Sequence, residues 1–171
     1  MRKSPQVHLV KTHRPRDELI LDGDKAICLV RDGRDCLVSW ARQRTEDGVR
    51  CFADELRDLI FLPAGRGAGQ WGWNVLSWLQ PAHPERIMLR YEDLIDQPGA
   101  TVRRVTDALS LGLVPAATAA IPTFAELHQA DGRFFRRGFN GTYRDELPED
   151  LHRAFWAEPG NAAAMALLGL M

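Results

Sequence analysis

The sequence predicts an α/β layered domain, a parallel sheet flanked by helices, and three observations carry that prediction. Ala26-Ile27-Cys28-Leu29-Val30 is a continuous apolar run of strand length, as expected for a parallel strand covered on both faces. Strand-like and helix-like patterns alternate along the chain, which favours helices layered on a sheet. Each strand-like run ends in polar residues, and in open α/β sheets ligands sit at those carboxyl ends.

Taken in order, Val7-His8-Leu9-Val10 reads as a first strand leading into Lys11-Thr12-His13. Ala26–Val30 leads into Arg31-Asp32, and Ile87-Met88-Leu89 leads through Arg90 into Tyr91-Glu92-Asp93. A helix is predicted over Cys36 to Thr45, after an Asp-rich turn. Val49, Phe52, Leu56, Leu59 and Ile60 recur at helical spacing, as do Trp71, Val75, Trp78 and Leu79. A further helix starts near Pro98, carries Val102, Val105 and Leu109, and has Gly112 as a plausible stop. Another begins near Pro148, and the short Ala116–Ala120 run is expected to be helical.

At 171 residues the chain has the size of one domain, with 22 basic and 23 acidic residues and a formal net charge of −1. No global field favours nucleic acid or an anionic membrane, so an anion site must come from local groups. No run approaches the roughly 18 apolar residues of a membrane span. Cys28, Cys36 and Cys51 show neither disulfide nor metal-ligand spacing, and read as reduced core thiols in a cytoplasmic setting. Asn140-Gly141-Thr142 is a glycosylation sequon with no secretion signal beside it, and reads as a chance match.

The chemistry concentrates in two stretches. In Cys28-Leu29-Val30-Arg31-Asp32-Gly33-Arg34-Asp35-Cys36-Leu37-Val38-Ser39, a strand passes through a tight turn into a helix. Asp32 or Asp35 can cap that helix, whose N-terminus carries free N–H groups and partial positive charge. Arg31 and Ser39 then converge on one anion; alternatively, Arg31 pairs with Asp35 on the surface and Ser39 is an ordinary helix-face residue. The second stretch runs from Arg133 to Arg144, with Arg136-Arg137-Gly138 and Gly141. Its arginines and glycines suit either a loop whose backbone approaches phosphate closely or a solvated turn.

His13 stands at a strand's carboxyl end, where a histidine can act as general base on a hydroxyl, although a structural role is the alternative. His8, His83, His128 and His152 share no constellation. Gly67-Ala68-Gly69-Gln70-Trp71-Gly72 fits the dinucleotide-binding glycine pattern but follows a helix and Pro63 rather than a strand. It is read as a flexible loop.

Lys-Thr-His-x-Pro, then Arg-x₇-Ser, then Tyr-Glu-Asp-Leu, then Arg-Arg-Gly-x-x-Gly-x-x-Arg resemble, in order and spacing, the PAPS-dependent sulfotransferases of cytosolic type. The resemblance implies a three-layer, P-loop-NTPase-like parallel sheet. It further implies sulfuryl transfer from 3′-phosphoadenosine 5′-phosphosulfate to a small-molecule hydroxyl or amine acceptor, without a metal. On that resemblance His13 is the catalytic base and Lys11 sits near the transferring group. Arg31, Ser39, Arg136, Arg137 and the Gly138 backbone would hold the 3′-phosphate. Tyr91 and Phe124 would lie by the adenine, and residues 65–78 near the acceptor.

The sequence also departs from the family. Thr142-Tyr143-Arg144 stands where the family has Asp-Trp-Lys, and Arg137 stands for lysine. The family's Pro-Lys-Ser-Gly-Thr-type loop, which cradles the 5′-phosphosulfate, should precede Lys11 by many tens of residues, but ten residues lie upstream here. The expectation is therefore a single, N-terminally truncated domain over residues 1–171. A nucleotide-binding module without turnover is the alternative function. A homo-oligomer is among the states left open.

Overall fold

The computed structural model describes residues 9–17, 23–63, 70–113 and 120–171. Two strands, β1 (Ala26–Val30) and β2 (Arg86–Arg90), form a parallel pair in which Ala26 lies opposite Arg86 and Val30 opposite Arg90. Parallel neighbours need a long crossover, and here it carries three helices: α1 (Gly33–Arg44), α2 (Phe52–Phe61) and α3 (Trp71–Leu79). After β2 come α4 (Tyr91–Asp96), α5 (Pro98–Ala108), α6 (Phe124–Ala130), α7 (Tyr143–Glu146), α8 (Glu149–Ala157) and α9 (Pro159–Leu168).

Strand side chains alternate, so the register places Val30 and Met88 on one sheet face and Leu29 and Leu89 on the other. Val30 and Met88 pack with Val75 of α3 and with Ala164 and Leu168 of α9. Leu89 packs with Val105 and Leu109, at the end of α5. Helices therefore cover both faces, giving the expected layers. The cover is incomplete: Ile27 and Leu29 are 43% and 56% exposed, because among the described residues α5 packs on β2 rather than β1. The largest cluster lies beside the sheet, where Val38 and Ala41 of α1 meet Leu56 and Ile60 of α2 and Phe155 of α8.

The tightest helix contact joins α3 to α9. A Cβ on Gly72 would lie 2.2 Å from the carbonyl carbon of Gly160, and the Gly72 N–H donates to Asn161 Oδ1 at 3.1 Å. Only glycine permits that approach. Gly72 is thus a helix-crossing residue and not the end of a loop, a correction to the sequence reading; residues 64–69 of that stretch lie outside the described residues.

Other predictions shift in detail. Leu9 and Val10 lie in no strand and are 80% and 87% exposed, while Val7 and His8 lie outside the described residues. Val49 is exposed ahead of α2. The helix from Pro98 ends at Ala108, before Gly112, with Lys25 Nζ donating to the Leu109 carbonyl at its end. Residues 116–119 lie outside the described residues, and Ala120 is not helical.

Candidate nucleotide site

Arg31 follows the last residue of β1, and Asp32 caps α1 by accepting from the Arg34 N–H at 2.9 Å. The Asp32 carboxylate also takes the Arg34 guanidinium, at 3.0 and 2.6 Å, and that guanidinium stacks 4.0 Å over the Tyr143 ring. The Arg31 side chain turns toward a segment more than 100 residues away. Its Nη2 donates to the Phe139 carbonyl at 2.7 Å and its Nε to Asn140 Oδ1 at 2.9 Å. Its guanidinium carbon lies 4.6 Å from the Tyr91 ring centroid, a cation–π distance. Asn140 in turn donates to Glu92 Oε1 at 2.6 Å, joining the turn to the start of α4.

Asp35, one turn into α1, is fully buried. Its Oδ2 accepts from the Gly141 N–H at 2.7 Å, and its Oδ1 from the Thr142 hydroxyl at 2.9 Å and the Tyr143 N–H at 3.0 Å. The Arg31–Asp35 pair foreseen from the turn exists too, at 3.6 Å, but Asp35 is buried rather than on the surface. Arg31 therefore pairs with Asp35, as one reading of the turn expected, and also reaches the arginine-rich turn through Phe139 and Asn140.

The arginine pair is held by a second shielded carboxylate. Glu146, its side chain 7% exposed, meets Arg136 at 2.9 and 3.1 Å, Arg42 at 2.8 Å and Arg137 at 3.5 Å. Burial works to raise its pKa, but hydrogen bonds from Arg136 and Arg42 and the charges of Arg136 and Arg137 outweigh burial and hold it below the usual range. Four guanidiniums (Arg31, Arg42, Arg136, Arg137) thus gather around two shielded carboxylates, with Asp145 on Arg137 at 3.5 Å and Glu92 reached from Arg31 through Asn140. Ser39 lies four residues after Asp35 and three before Arg42 on α1, on the face that both turn toward residues 136–146. The helix, the turn and the arginine pair form one cluster.

On its other side Gly138, at φ +66°, presents its bare Cα to the Phe124 ring; a Cβ there would lie 2.4 Å from ring atoms. Phe124 opens α6 behind a capping box in which Thr123 and Glu126 satisfy each other's backbone N–H groups. His128 stacks on Phe124 at 5.8 Å and contacts the Phe135 carbonyl at 2.7 Å. Tyr91 and Phe124 are therefore both placed against the cluster, through Arg31 and Gly138.

Lys11 and His13 belong to a different group. Both are exposed, and the segment they open is held by α3. Asn74 Nδ2 donates to the His13 carbonyl at 2.7 Å, Ser77 Oγ accepts from the Arg16 N–H at 2.9 Å, and Trp78 Nε1 donates to the Arg14 carbonyl at 2.9 Å. These three α3 side chains stand at i, i+3 and i+4, one face of the helix.

The thiols are free. Burial raises Cys28 to about 11 and Cys36 to about 12. Cys51 is exposed, against the expectation of a core thiol, because it precedes α2 at the N-cap. In the sequon, Asn140 bonds Arg31 and Glu92 while Thr142 is buried on Asp35. Sequence reasoning saw Asp35 only as a cap or a partner of Arg31, read Asn140 and Thr142 only as a chance sequon and a departure from the family, and passed over Glu146. Acidic residues so close to an arginine-rich turn were the available signal.

The family model described as "Sulfotransferase domain" matches residues 1–157. Among solved structures, a crystal structure of mouse sulfotransferase SULT7A1 complexed with PAP superposes with a TM-score of 0.66 at 18% sequence identity. The match covers 87% of this chain and 64% of that one, so this chain spans less than two thirds of that protein's length. No relative was found among curated proteins. Among the described residues, no helix is long and apolar enough to cross a membrane.

Proposed function

The chain belongs to the sulfotransferase-domain family, and from that premise we propose that it binds 3′-phosphoadenosine 5′-phosphosulfate and transfers the sulfuryl group to a hydroxyl or amine acceptor. In this reading Arg31, Ser39, Arg136, Arg137 and the Gly138 N–H hold the 3′-phosphate, with Tyr91 and Phe124 beside the adenine. One observation carries it: Arg31, at the carboxyl end of a parallel strand, bonds Phe139 and Asn140 and so stands beside the Arg136–Arg137 pair. The donor set fits a phosphate dianion. Guanidinium forks match its geometry.

Catalysis in this family asks mainly for alignment and for stabilisation of spreading negative charge. His13 would take the acceptor's proton as its oxygen bonds to sulfur and the bond from sulfur to the 5′-phosphate oxygen breaks. Lys11 would offset charge on the transferring group. The arginine cluster would turn binding energy at the far end of the nucleotide into positioning.

Calorimetry with adenosine 3′,5′-bisphosphate tests the site. Arg31→Ala and Arg136→Ala should each weaken binding on the order of tenfold or more, since each removes charge-assisted hydrogen bonds. Unchanged affinity in both variants would remove the assignment. A second reading, a binding module without turnover, is favoured by the exposure of Lys11 and His13. A labelled sulfate-transfer assay separates the two, with His13→Ala as control: intact nucleotide binding without transfer establishes the second.

A further inference from the structure

We infer that Asp35 is a positioning residue for the arginine pair, its buried carboxylate latching the turn after Arg136-Arg137-Gly138 onto helix α1. The inference rests on the phosphate-site reading above. A carboxylate taken fully out of water must be compensated by several hydrogen bonds or a counter-charge. All three hydrogen bonds that Asp35 accepts come from consecutive residues of one turn, Gly141, Thr142 and Tyr143, at 2.7–3.0 Å. Arg31 is the more distant partner, at 3.6 Å, and its own donors are directed at Phe139 and Asn140.

Residues 139–143 are therefore gripped along their length by Arg31 and Asp35, which lie four residues apart. Gly138 is the next residue back, and Arg137 and Arg136 precede it. With the turn fixed at Gly141, the pair is presented beside Arg31 and Ser39. With the turn released, the tie of Arg136 to the helix layer among the described residues runs through Glu146 and Arg42.

The test compares four proteins: the unaltered chain, Asp35→Asn, Thr142→Val and Thr142→Ser. Two quantities are read, the rate of tryptic cleavage after Arg136 and Arg137 under native conditions and the affinity for adenosine 3′,5′-bisphosphate. Cleavage of a folded chain follows local opening, so it reports the latch without a ligand. Asp35→Asn turns an amide toward the backbone donors. Thr142→Val keeps the volume and drops the donor. Both should speed cleavage and weaken the nucleotide by on the order of tenfold, the scale of a hydrogen bond to a charged group.

Thr142→Ser keeps the hydroxyl and should restore both quantities to within about twofold, because the donor is what the latch needs. If packing rather than donation mattered, the smaller serine would be the worse variant, and that order overturns the inference. Unchanged cleavage and affinity in Asp35→Asn overturn it as well. If Asp35→Asn does not fold, the valine–serine contrast decides. If the unaltered chain does not bind the nucleotide, the phosphate-site reading fails, and the cleavage contrast still supports or overturns the latch.

Discussion

The arginine cluster and the His13–Arg16 segment are held in opposite ways. Around Asp35 and Glu146, shielded carboxylates collect N–H, hydroxyl and guanidinium donors from α1, the 139–143 turn and the Arg136–Arg137 pair. Beside α3, the hydrogen bonds link an exposed backbone to Asn74, Ser77 and Trp78. Charge-assisted bonds shielded from water are worth roughly twice neutral ones, and leaving such a carboxylate unmatched costs far more than losing an exposed bond. The cluster is thus fixed by compensation of buried charge. Among the described residues, the His13 segment is tied to α3, and α3 is seated by its crossing with α9.

That difference predicts how each region breaks, and the largest effect should come from the crossing. Gly72→Ala places a methyl 2.2 Å from the Gly160 backbone, which no rotamer change relieves. Overpacking of this kind costs about 1–3 kcal/mol, and a chain of this size loses about 2–4 °C of Tm for each kcal/mol. A thermal melt should therefore fall by several degrees, while the folded variant keeps its affinity for adenosine 3′,5′-bisphosphate. A melt superimposable on the parent would show that α3 is not seated where this geometry puts it.

Acid should break the cluster instead, with a smaller effect. The folded-state pKa of Glu146 lies below its ordinary value of 4.5, so its ion pairs contribute stability in full above that value. The contribution is lost as pH falls from about 4.5 through the depressed folded-state pKa, because the native state must then take up a proton and release Arg42, Arg136 and Arg137. Melting temperature followed downward from neutral pH should drop more steeply for the parent than for Glu146→Gln, which has no such proton to bind. Parallel profiles would mean that Glu146 does not hold the arginines as a carboxylate.

What the sequence disclosed follows the same division. Arg31, Ser39, Arg136, Arg137 and Gly138 were legible as candidates: a strand–turn–helix sets the spacing of the first two, an arginine–glycine turn marks the others, and the family resemblance is what joins them. Helices α2, α3 and α5 were legible from their apolar period, α1 from the Asp-rich turn ahead of it and α8 from Pro148 at its start. The short α4, α6 and α7 have too few turns to show a period. In α9, Pro-Gly-Asn-Ala-Ala-Ala-Met buries small and polar residues, including Asn161, so no amphipathic stripe marks it. The partners of Asp35 and Glu146 lie beyond local reading, since Asp35 bonds residues 106–108 positions away. The role of Gly72 was hidden for the same reason: a glycine that meets Gly160 across the fold looks, in sequence, like part of a glycine-rich loop.

The smallest effect, and the sharpest test of the division, belongs to Asn74. Asn74→Ala removes a 2.7 Å bond to the His13 carbonyl, and Trp78→Phe removes the 2.9 Å bond to the Arg14 carbonyl. Each bond joins neutral groups at an exposed backbone, where the net worth is about 0.5–1.5 kcal/mol. Water can replace the lost donor at both carbonyls, so the melt should move by a few degrees at most. The backbone amides of His13, Arg14, Arg16 and Asp17 should exchange faster with solvent, because local opening there no longer breaks those bonds. Affinity for adenosine 3′,5′-bisphosphate should stay at the parent value, since the bonds removed go to His13 and Arg14 and not to Arg31, Asp35 or the 136–146 segment. A loss of affinity in Asn74→Ala as large as in Asp35→Asn would mean that the His13 segment and the arginine cluster move as one body, and the comparison would fall.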